Sequence, residues 1–358
     1  MKNINLIGQF SPPVHGLSKA LDTILYSKKI NENYEIISTN ITNNKRIFQN
    51  LREIRKSKSD IYYFTISHSN LGNIRDLLIL MLIINKNKKV IIHYHGGYFL
   101  DLYENMNFIQ KKLNWFLLNK VDTVVVLGKS LKRIFVPIVE ESKIRICENF
   151  VENAVLLKNS DFEKKVSTLY LKEKFNVLFL SNFIKSKGYI EILHAAFQLK
   201  SQENIYFHFA GNFFREEDRN EFFEIINNLK LTNVTYHGVV NGDNKKKLLQ
   251  KSDIFILPSY YHIEGQPISI IEAMANGLAI ITTVHAGIPD IVSDDNGIFV
   301  RKKNVEDIVN AVKKLTGERS KLKEIALKNR MDVTNNLLEE HYINRISSIF
   351  EESILSEK

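Results

Sequence analysis

Short apolar runs of strand length alternate along this 358-residue chain with longer segments in which apolar residues recur at the helical period. In the first part of the chain this alternation predicts a parallel sheet with helices on both faces. The predicted strands there are 3–8, 34–39, 60–66, 89–95, 122–127 and 143–148. The predicted helices between them are 17–29, 46–58, 72–85, 104–119 and 129–135.

A second alternating series follows a polar segment, 152–172, which we interpret as the connection between two domains. Its predicted strands are 175–181, 204–210, 233–237, 253–257 and 278–282. Its predicted helices are 188–199, 216–229, 243–251, 267–276, 304–316, 319–332 and 338–356. Because the chain is too long for one hydrophobic core, we predict an α/β protein with two doubly wound domains. Their predicted bounds are 1–160 and 161–337, with a C-terminal helix over 338–358.

The segment around 253–283 contains the clearest chemical pattern, because it reads as strand, helix and strand within about 30 residues, a parallel βαβ unit. Pro267 suits the first turn of its helix, where a missing N–H costs nothing. That helix start lies at the carboxyl end of a strand, where it favours an anion such as phosphate. Glu264 and Glu272 flank the helix start roughly 10 Å apart, and a carboxylate accepts two hydrogen bonds from a vicinal diol.

These residues carry a resemblance to a known family. Glu264 and Glu272, spaced Glu-x7-Glu, precede Ala-Met-Ala-Asn-Gly277, and the motifs Ala286-Gly-Ile-Pro-Asp290 and Asn296-Gly-Ile-Phe-Val300 follow. The segment resembles the donor-binding segment of family-4 retaining glycosyltransferases. The resemblance implies the GT-B fold, in which two Rossmann-like domains face a cleft and a C-terminal helix crosses back to the first domain. It also implies transfer of a sugar from a UDP- or GDP-sugar to a hydroxyl, with retention of anomeric configuration.

The resemblance assigns roles to residues of the second domain. Glu272 is expected on the ribose diol, Glu264 on the donor sugar, and Lys187, with the helix start, on the diphosphate. Further donor contacts are expected from Gly265, Gln266, Pro267 and Ile268. Asn182 stands where the family usually has an arginine, so a bidentate phosphate clamp is replaced by one neutral donor. Either Lys185 compensates, or the enzyme relies on Lys187 and the helix dipole.

Two residues of the first domain are candidates for the same site. Gly16, in the loop after the first strand, is expected to approach the donor diphosphate, although a glycine there also has a purely structural reading. His95 ends the fourth strand and is expected at the donor sugar or the reacting centre. The alternative is a purely structural histidine at a strand end, with its hydrogen bonds satisfied within the protein. His93-Tyr94-His95 is weak as a metal motif, because no third ligand can be assigned.

Charge and composition limit the classes of partner that the chain is expected to bind. Residues 1–150 hold 22 Lys and Arg against 12 Asp and Glu, whereas residues 151–358 hold 27 against 28. We find no nucleic-acid-binding motif, so an anionic membrane surface suits the basic half better than nucleic acid. The helix over 107–118, with Lys111 and Lys112, reads equally as membrane-facing or as a core helix with a basic edge. The single cysteine, Cys147, excludes a disulfide framework.

We therefore predict a hexosyltransferase without metal or other cofactor, since no Asp-x-Asp sequence is present to hold a divalent ion and the nucleotide-sugar is a co-substrate. Its expected acceptor is a glycan or a lipid-linked glycan in cell-surface polysaccharide biosynthesis. With no predicted signal peptide, and an apolar stretch at 77–84 too short to span a bilayer, we expect a cytoplasmic protein, peripheral on the inner face of the plasma membrane. Two alternatives remain: a nucleotide-sugar 2-epimerase on the same fold, and a non-catalytic GT-B partner subunit.

Overall fold

The computed structural model describes residues 1–12 and 16–355, with the side chain of Asn44 left aside. The chain divides into two compact units, one formed by Met1–Asn149 with Glu339–Lys358 and the other by Phe150–Leu338. The first boundary thus lies before the predicted position of 160, because Val155, Leu157 and Phe162 already belong to the core of the second unit.

The first unit is built on a six-stranded parallel sheet with the strand order β2-β1-β3-β4-β5-β6. Its strands are β1 (Lys2–Gly8), β2 (Tyr34–Asn40), β3 (Ile61–Thr65), β4 (Lys89–Tyr94), β5 (Thr123–Val126) and β6 (Ile144–Ile146). Its helices before the second unit are α1 (Gly16–Leu25), α2 (Lys28–Asn33), α3 (Ile47–Lys56), α4 (Asn70–Ile84), α5 (Phe99–Glu104) and α6 (Phe108–Leu118). Each strand lies near its predicted position.

One predicted helix of the first unit is divided in two, and another begins later than predicted. The side chain of Ser27 caps α2 by accepting from the Ile30 N–H, which separates α2 from α1 inside the predicted helix 17–29. The side chain of Asn107 likewise caps α6 by accepting from the Gln110 N–H. Both residues offer the backbone a local hydrogen bond that a continuous helix would not use. The predicted helix 129–135 is a 3-10 helix, Lys129–Ile134.

The second unit is built on another six-stranded parallel sheet, with the order β12-β11-β10-β7-β8-β9. Its strands are β7 (Phe175–Leu180), β8 (Ile205–Ala210), β9 (Val234–Tyr236), β10 (Ile254–Leu257), β11 (Ala279–Thr282) and β12 (Gly297–Phe299). Its helices are α7 (Asn159–Thr168), α8 (Tyr189–Gln198), α9 (Glu216–Asn228), α10 (Gly242–Lys251), α11 (Ile268–Ala275), α12 (Val305–Gly317) and α13 (Arg319–Asn336).

The segment 152–172 is not an inter-domain connection, as we had interpreted it. It contains α7, which buries Phe162 and Val166 against the second core. Lys165 on the same helix donates to the carbonyl oxygens of Leu249 and Asn276 at 3.1 and 2.9 Å. A helix with two buried apolar side chains in ten residues has too weak a periodicity to stand out in the sequence.

The last helix, α14 (Glu339–Leu355), returns to the first unit, as predicted. Phe350 packs edge-on against the rings of Tyr34 and Tyr63, with centroids 5.8 and 5.7 Å apart. Arg345 forms an ion pair with Glu148 at 2.9 Å. An apolar face and a charged pair thus hold the end of the chain on the first sheet.

Each sheet has one topological switch point, where neighbouring strands feed helices to opposite faces. In the first sheet it lies between β1 and β3, and in the second between β7 and β10. Ligands of open α/β sheets bind at the carboxyl ends of the strands beside such a point. The loops after β7 and β10 are therefore where a ligand of the second unit is expected.

Burial of His93 on β4 makes stability depend on pH. Its Nδ1 shares a hydrogen bond with the Tyr63 hydroxyl, and burial, reinforced by His95, holds the His93 pKa well below its usual range. As the pH falls below about 6.5, His93 therefore binds a proton in the unfolded chain but not in the folded one.

We expect the free energy of unfolding to fall between pH 7.5 and 5.5, by up to ~1.4 kcal/mol per pH unit from this residue. His93→Asn keeps a hydrogen-bonding atom for Tyr63, and its free energy of unfolding should fall less between these two pH values. Urea unfolding at both pH values measures it, and an equal decrease in the variant and the wild type would refute this role for His93.

Candidate functional site

The loops after β7 and β10 meet at the switch point of the second sheet through a close backbone contact at Gly188. Gly188 has φ +84°, and a Cβ atom there would lie 2.6 Å from Cγ and 2.8 Å from the carbonyl oxygen of Pro258. The Tyr260 N–H also donates to the Ser186 carbonyl at 2.7 Å. These contacts place Lys187 directly beside the loop that leads into α11.

Lys187 and Glu264 form a buried ion pair in this loop. The distance from Lys187 Nζ to Glu264 Oε2 is 2.5 Å, and the two side chains are only 11% and 7% exposed. The Ser259 hydroxyl donates to the same carboxylate oxygen at 2.8 Å, and the ammonium lies 5.0 Å from the centre of the Tyr261 ring. Among the described residues, Glu264 Oε1 has no hydrogen-bond partner. The site thus presents a fixed cation and a carboxylate oxygen that can still accept.

Glu272 lies on α11 and is also buried, with 5% of its side chain exposed. Its Oε1 forms an ion pair with Lys245 of α10, a partner that the sequence did not predict. Within residues 1–12 and 16–355, no group donates to its Oε2. Glu272 is therefore a second buried carboxylate with one oxygen left to accept from a ligand, separately from the Lys187–Glu264 pair.

The start of α11 supplies backbone donors next to Glu264. Gly265, Gln266 and Pro267 are buried, and Ile268 is half-buried. Pro267 occupies the position before the first helical residue, one place earlier than predicted. The first N–H groups of a helix lack intrahelical acceptors and carry the positive end of its dipole, so this end of α11 can bind an anion.

Residues 160–331 match the family model of the glycosyl transferases group 1. This second unit belongs to that family. The chain has the GT-B fold. It aligns over 98% of its length with the crystal structure of Anabaena Alr3699/HepE in complex with UDP. That structure is 100% covered, with a TM-score of 0.76 and 15% identity.

Two curated relatives are bacterial glycosyltransferases. One is the N,N'-diacetylbacillosaminyl-diphospho-undecaprenol alpha-1,3-N-acetylgalactosaminyltransferase of Campylobacter jejuni, 28% identical over 63% of this chain and 54% of that protein. The other is the putative colanic acid biosynthesis glycosyltransferase WcaL of Escherichia coli, 36% identical over 16% of each chain. The chain spans about half the length of the first curated relatives it matches.

Within the group 1 unit, His285 is a site residue that the sequence reading missed. Its Nε2 lies 2.8 Å from the Tyr261 carbonyl oxygen and its Nδ1 3.1 Å from Lys302 Nζ. The first contact requires a donor and the second an acceptor, which assigns the Nε2–H tautomer. Burial lowers the His285 pKa and favours that neutral form. Its position just before the Ala286–Asp290 motif was the available signal.

The loop after β11 reaches the Glu264 loop at a second point. The Gly287 N–H donates to the Gly265 carbonyl at 3.0 Å. Together with His285, this bond fixes the backbone on both sides of Glu264. The Ala286–Asp290 motif therefore has a structural role, because it helps to hold the loop that carries Glu264.

Asn182, at the place of the family arginine, is exposed at the end of β7. Its carbonyl accepts from the Ile184 N–H at 3.0 Å. Lys185 forms an ion pair with Glu221 of α9 at 2.8 Å, at a half-exposed position, and does not contact Glu264. The sequence left two alternatives for the missing arginine: compensation by Lys185, or reliance on Lys187 and the helix start. These contacts favour the second.

Gly16 and His95 belong to the first unit, whereas the other predicted site residues belong to the second. Gly16 begins α1 after the loop that leaves β1, and His95 follows β4 with its ring 4.0 Å from that of His93. Their roles toward a donor stay predictions. Across residues 1–12 and 16–355, no three His, Cys, Asp or Glu side chains are grouped to hold a metal ion.

Proposed function

We propose that this protein is a retaining hexosyltransferase that moves a sugar from a UDP- or GDP-sugar to a hydroxyl of a glycan or lipid-linked acceptor in cell-surface polysaccharide biosynthesis. The observation that carries the proposal is the buried Lys187–Glu264 pair, which lies at the switch point of a group 1 unit beside the start of α11. A cation, a free carboxylate oxygen and a helix N-terminus suit a sugar joined to a diphosphate.

The comparisons support the donor and acceptor classes. The Anabaena neighbour is described in complex with UDP. The name of the Campylobacter relative specifies a diphospho-undecaprenol acceptor, which is a lipid-linked glycan. By analogy, we propose a nucleoside diphosphate sugar as donor and an acceptor carried at the inner face of the plasma membrane.

In the proposed reaction, groups of the protein stabilise the negative charge of the leaving group. The bond from the anomeric carbon to the diphosphate breaks, and its electron pair leaves with the diphosphate. Lys187 and the N–H groups at the start of α11 stabilise the negative charge that develops there. These groups replace the charge of a metal ion, so we propose that the reaction is metal-independent.

The acceptor hydroxyl forms its bond to the anomeric carbon on the face that the diphosphate leaves. Its proton passes to the departing diphosphate oxygen, so no side chain has to act as nucleophile. Glu264 holds the donor sugar through the oxygen that Lys187 and Ser259 leave open, and positioning supplies much of the rate. We propose that the first unit receives the acceptor, and the roles that the sequence predicts for Gly16 and His95 are part of this proposal.

The donor is tested by thermal unfolding with a panel of nucleotide-sugars, because a ligand that binds the native state raises the melting temperature. The proposal expects a UDP- or GDP-sugar to raise it, with and without a chelator. Donor consumption without acceptor, yielding an isomeric nucleotide-sugar, would identify a 2-epimerase. Binding without turnover on any acceptor would identify a non-catalytic subunit. Stabilisation only when manganese or magnesium is present would contradict metal independence.

Glu272 is expected to contribute to donor affinity rather than to the chemical step. Glu272→Gln removes the charge that pairs with Lys245 and accepts from the ribose hydroxyls, at a cost of roughly 1.5–3 kcal/mol in binding. Calorimetric titration should therefore show a donor Kd raised by roughly ten- to 150-fold, with kcat at saturation little changed. A Kd equal to that of the wild type would remove Glu272 from the donor site.

A further inference from the structure

Several large apolar side chains are exposed on the layer formed by α3, α4 and α6. α4 packs between the other two helices. Its buried side is fixed by Asn73, whose amide hydrogen-bonds Asn114 and Gln110 of α6 at 2.9 and 2.8 Å. The opposite side is therefore the outward one, and it carries the exposed apolar residues Leu71, Ile74 and Leu78.

The neighbouring helices extend this apolar surface. On α6 the exposed residues are Phe108, Ile109, Trp115 and Phe116, and on α3 Phe48 is 84% exposed. Isolated exposed apolar residues need no explanation, but eight of them on three helices that pack side by side indicate an interaction surface. We call the outward side of α3, α4 and α6 the helical face.

The charges on these three helices are strongly positive. They carry six Lys or Arg against two Asp or Glu. Asp76 is buried and paired with Arg75, and Glu53 bonds to Gln49. Arg52 and Arg55 are exposed, and neither guanidinium has an ion pair or hydrogen bond among the described residues. Basic side chains among aromatic and aliphatic ones are typical of proteins that lie on anionic lipid.

A groove between α3 and α4 brings the two features together. Its volume is about 430 Å³, and its walls include Leu51, Leu78, Met81 and Leu82. Arg52 and Arg55 line the same groove. An apolar channel with two arginines suits a ligand that is a hydrocarbon chain at one end and a phosphate at the other.

We propose that the helical face docks on an anionic lipid bilayer, with one acyl chain in the α3–α4 groove and its phosphate on Arg52 and Arg55. The side chains of Phe108, Ile109 and Trp115 enter the headgroup region, where aromatic rings are favoured. The excess of six basic over two acidic side chains on these helices favours an anionic surface over a protein partner of mixed charge. This inference rests on the part of the proposed function that places the acceptor in a membrane.

The single tryptophan of the chain, Trp115, gives a direct test because it is 53% exposed on α6. Adding vesicles of phosphatidylcholine with phosphatidylglycerol to the full chain should shift its emission to the blue and protect it from acrylamide. Pure phosphatidylcholine vesicles should do so weakly, and high salt should reverse the effect.

Arg52→Gln with Arg55→Gln should weaken binding to the acidic vesicles by about tenfold or more. Lys313→Gln with Lys314→Gln removes the same two charges from exposed positions on α12 and should leave vesicle binding unchanged. Both pairs change surface residues, and melting temperatures establish that the variants fold.

Three results would overturn the proposal: no spectral change with either vesicle, equal binding to both kinds, or equal loss in the two variant pairs. A concentration-dependent dimer that disappears in Leu78→Glu, without vesicle binding, would assign the face to a second copy instead. Donor affinity is measured separately by calorimetry in the absence of lipid. Failure of membrane docking with intact donor binding would therefore leave the proposed transfer reaction standing.

Discussion

Glu264→Gln should lower kcat by roughly ten- to 150-fold while the donor Kd changes much less. Glutamine keeps the size of the side chain but leaves Lys187, which is nine-tenths buried, without its anionic partner. It also replaces the carboxylate that is proposed to hold the donor sugar during transfer. Loss of a charged hydrogen bond costs roughly 1.5–3 kcal/mol, and every 1.36 kcal/mol is a factor of ten in rate.

Ser259→Ala is the matched control for this prediction. Ser259 donates to the same carboxylate oxygen at 2.8 Å but is not proposed to touch the donor. Its removal costs only a neutral donor, about 0.5–1.5 kcal/mol, and should lower kcat a few-fold. Steady-state kinetics with saturating donor measures both variants. If Glu264→Gln turned over like the wild type, or no more slowly than Ser259→Ala, the assignment of Glu264 would be wrong.

Gly188→Ala should destabilise the second unit and abolish donor binding together. The left-handed backbone at Gly188 costs a residue with a Cβ roughly 1–2 kcal/mol. The added atom would also lie 2.6 Å from Cγ and 2.8 Å from the carbonyl oxygen of Pro258. The loops after β7 and β10 would have to separate, and Lys187 would move away from Glu264.

Gly238→Ala separates these two causes. Gly238 also has a positive φ, +69°, but a Cβ there meets nothing within 4 Å. This variant should lose only the backbone cost of roughly 1–2 kcal/mol and keep its donor affinity. Urea unfolding and calorimetric titration of both variants distinguish the contributions. If Gly188→Ala bound donor as well as Gly238→Ala, the contact with Pro258 would not be what positions Lys187.

Much of the architecture could be predicted because each buried parallel strand is a short, nearly continuous apolar run. The runs at 61–65, 254–257 and 279–282 are buried along their whole length, and their predicted positions hold within one residue. Strand β12 was not predicted, since it has three residues, Gly297–Phe299, too few for a pattern. Helix α7 was missed for the related reason that most of its surface faces water.

The site was predictable to the extent that its residues are close in sequence. Glu264 and Glu272 share one loop and helix, so their spacing could be interpreted directly. The pairing of Glu272 with Lys245, 27 positions earlier, and the bond from His285 to Tyr261, 24 positions away, depend on which helices and loops the sheet brings together. No local pattern encodes such contacts. Lys187 could be proposed from its place after a strand, but its pairing with Glu264, 77 positions away, could not.

The most direct test of the account is the transfer reaction itself, followed by NMR. The donor that stabilises the protein is incubated with a lipid-linked glycan or an analogue, in the presence of a chelator, and the anomeric coupling of the new linkage is recorded. The account predicts an acceptor-dependent product whose anomeric configuration is that of the donor, formed far more slowly by Glu264→Gln. A product of inverted configuration, or no transfer by a protein that binds the donor, would contradict it.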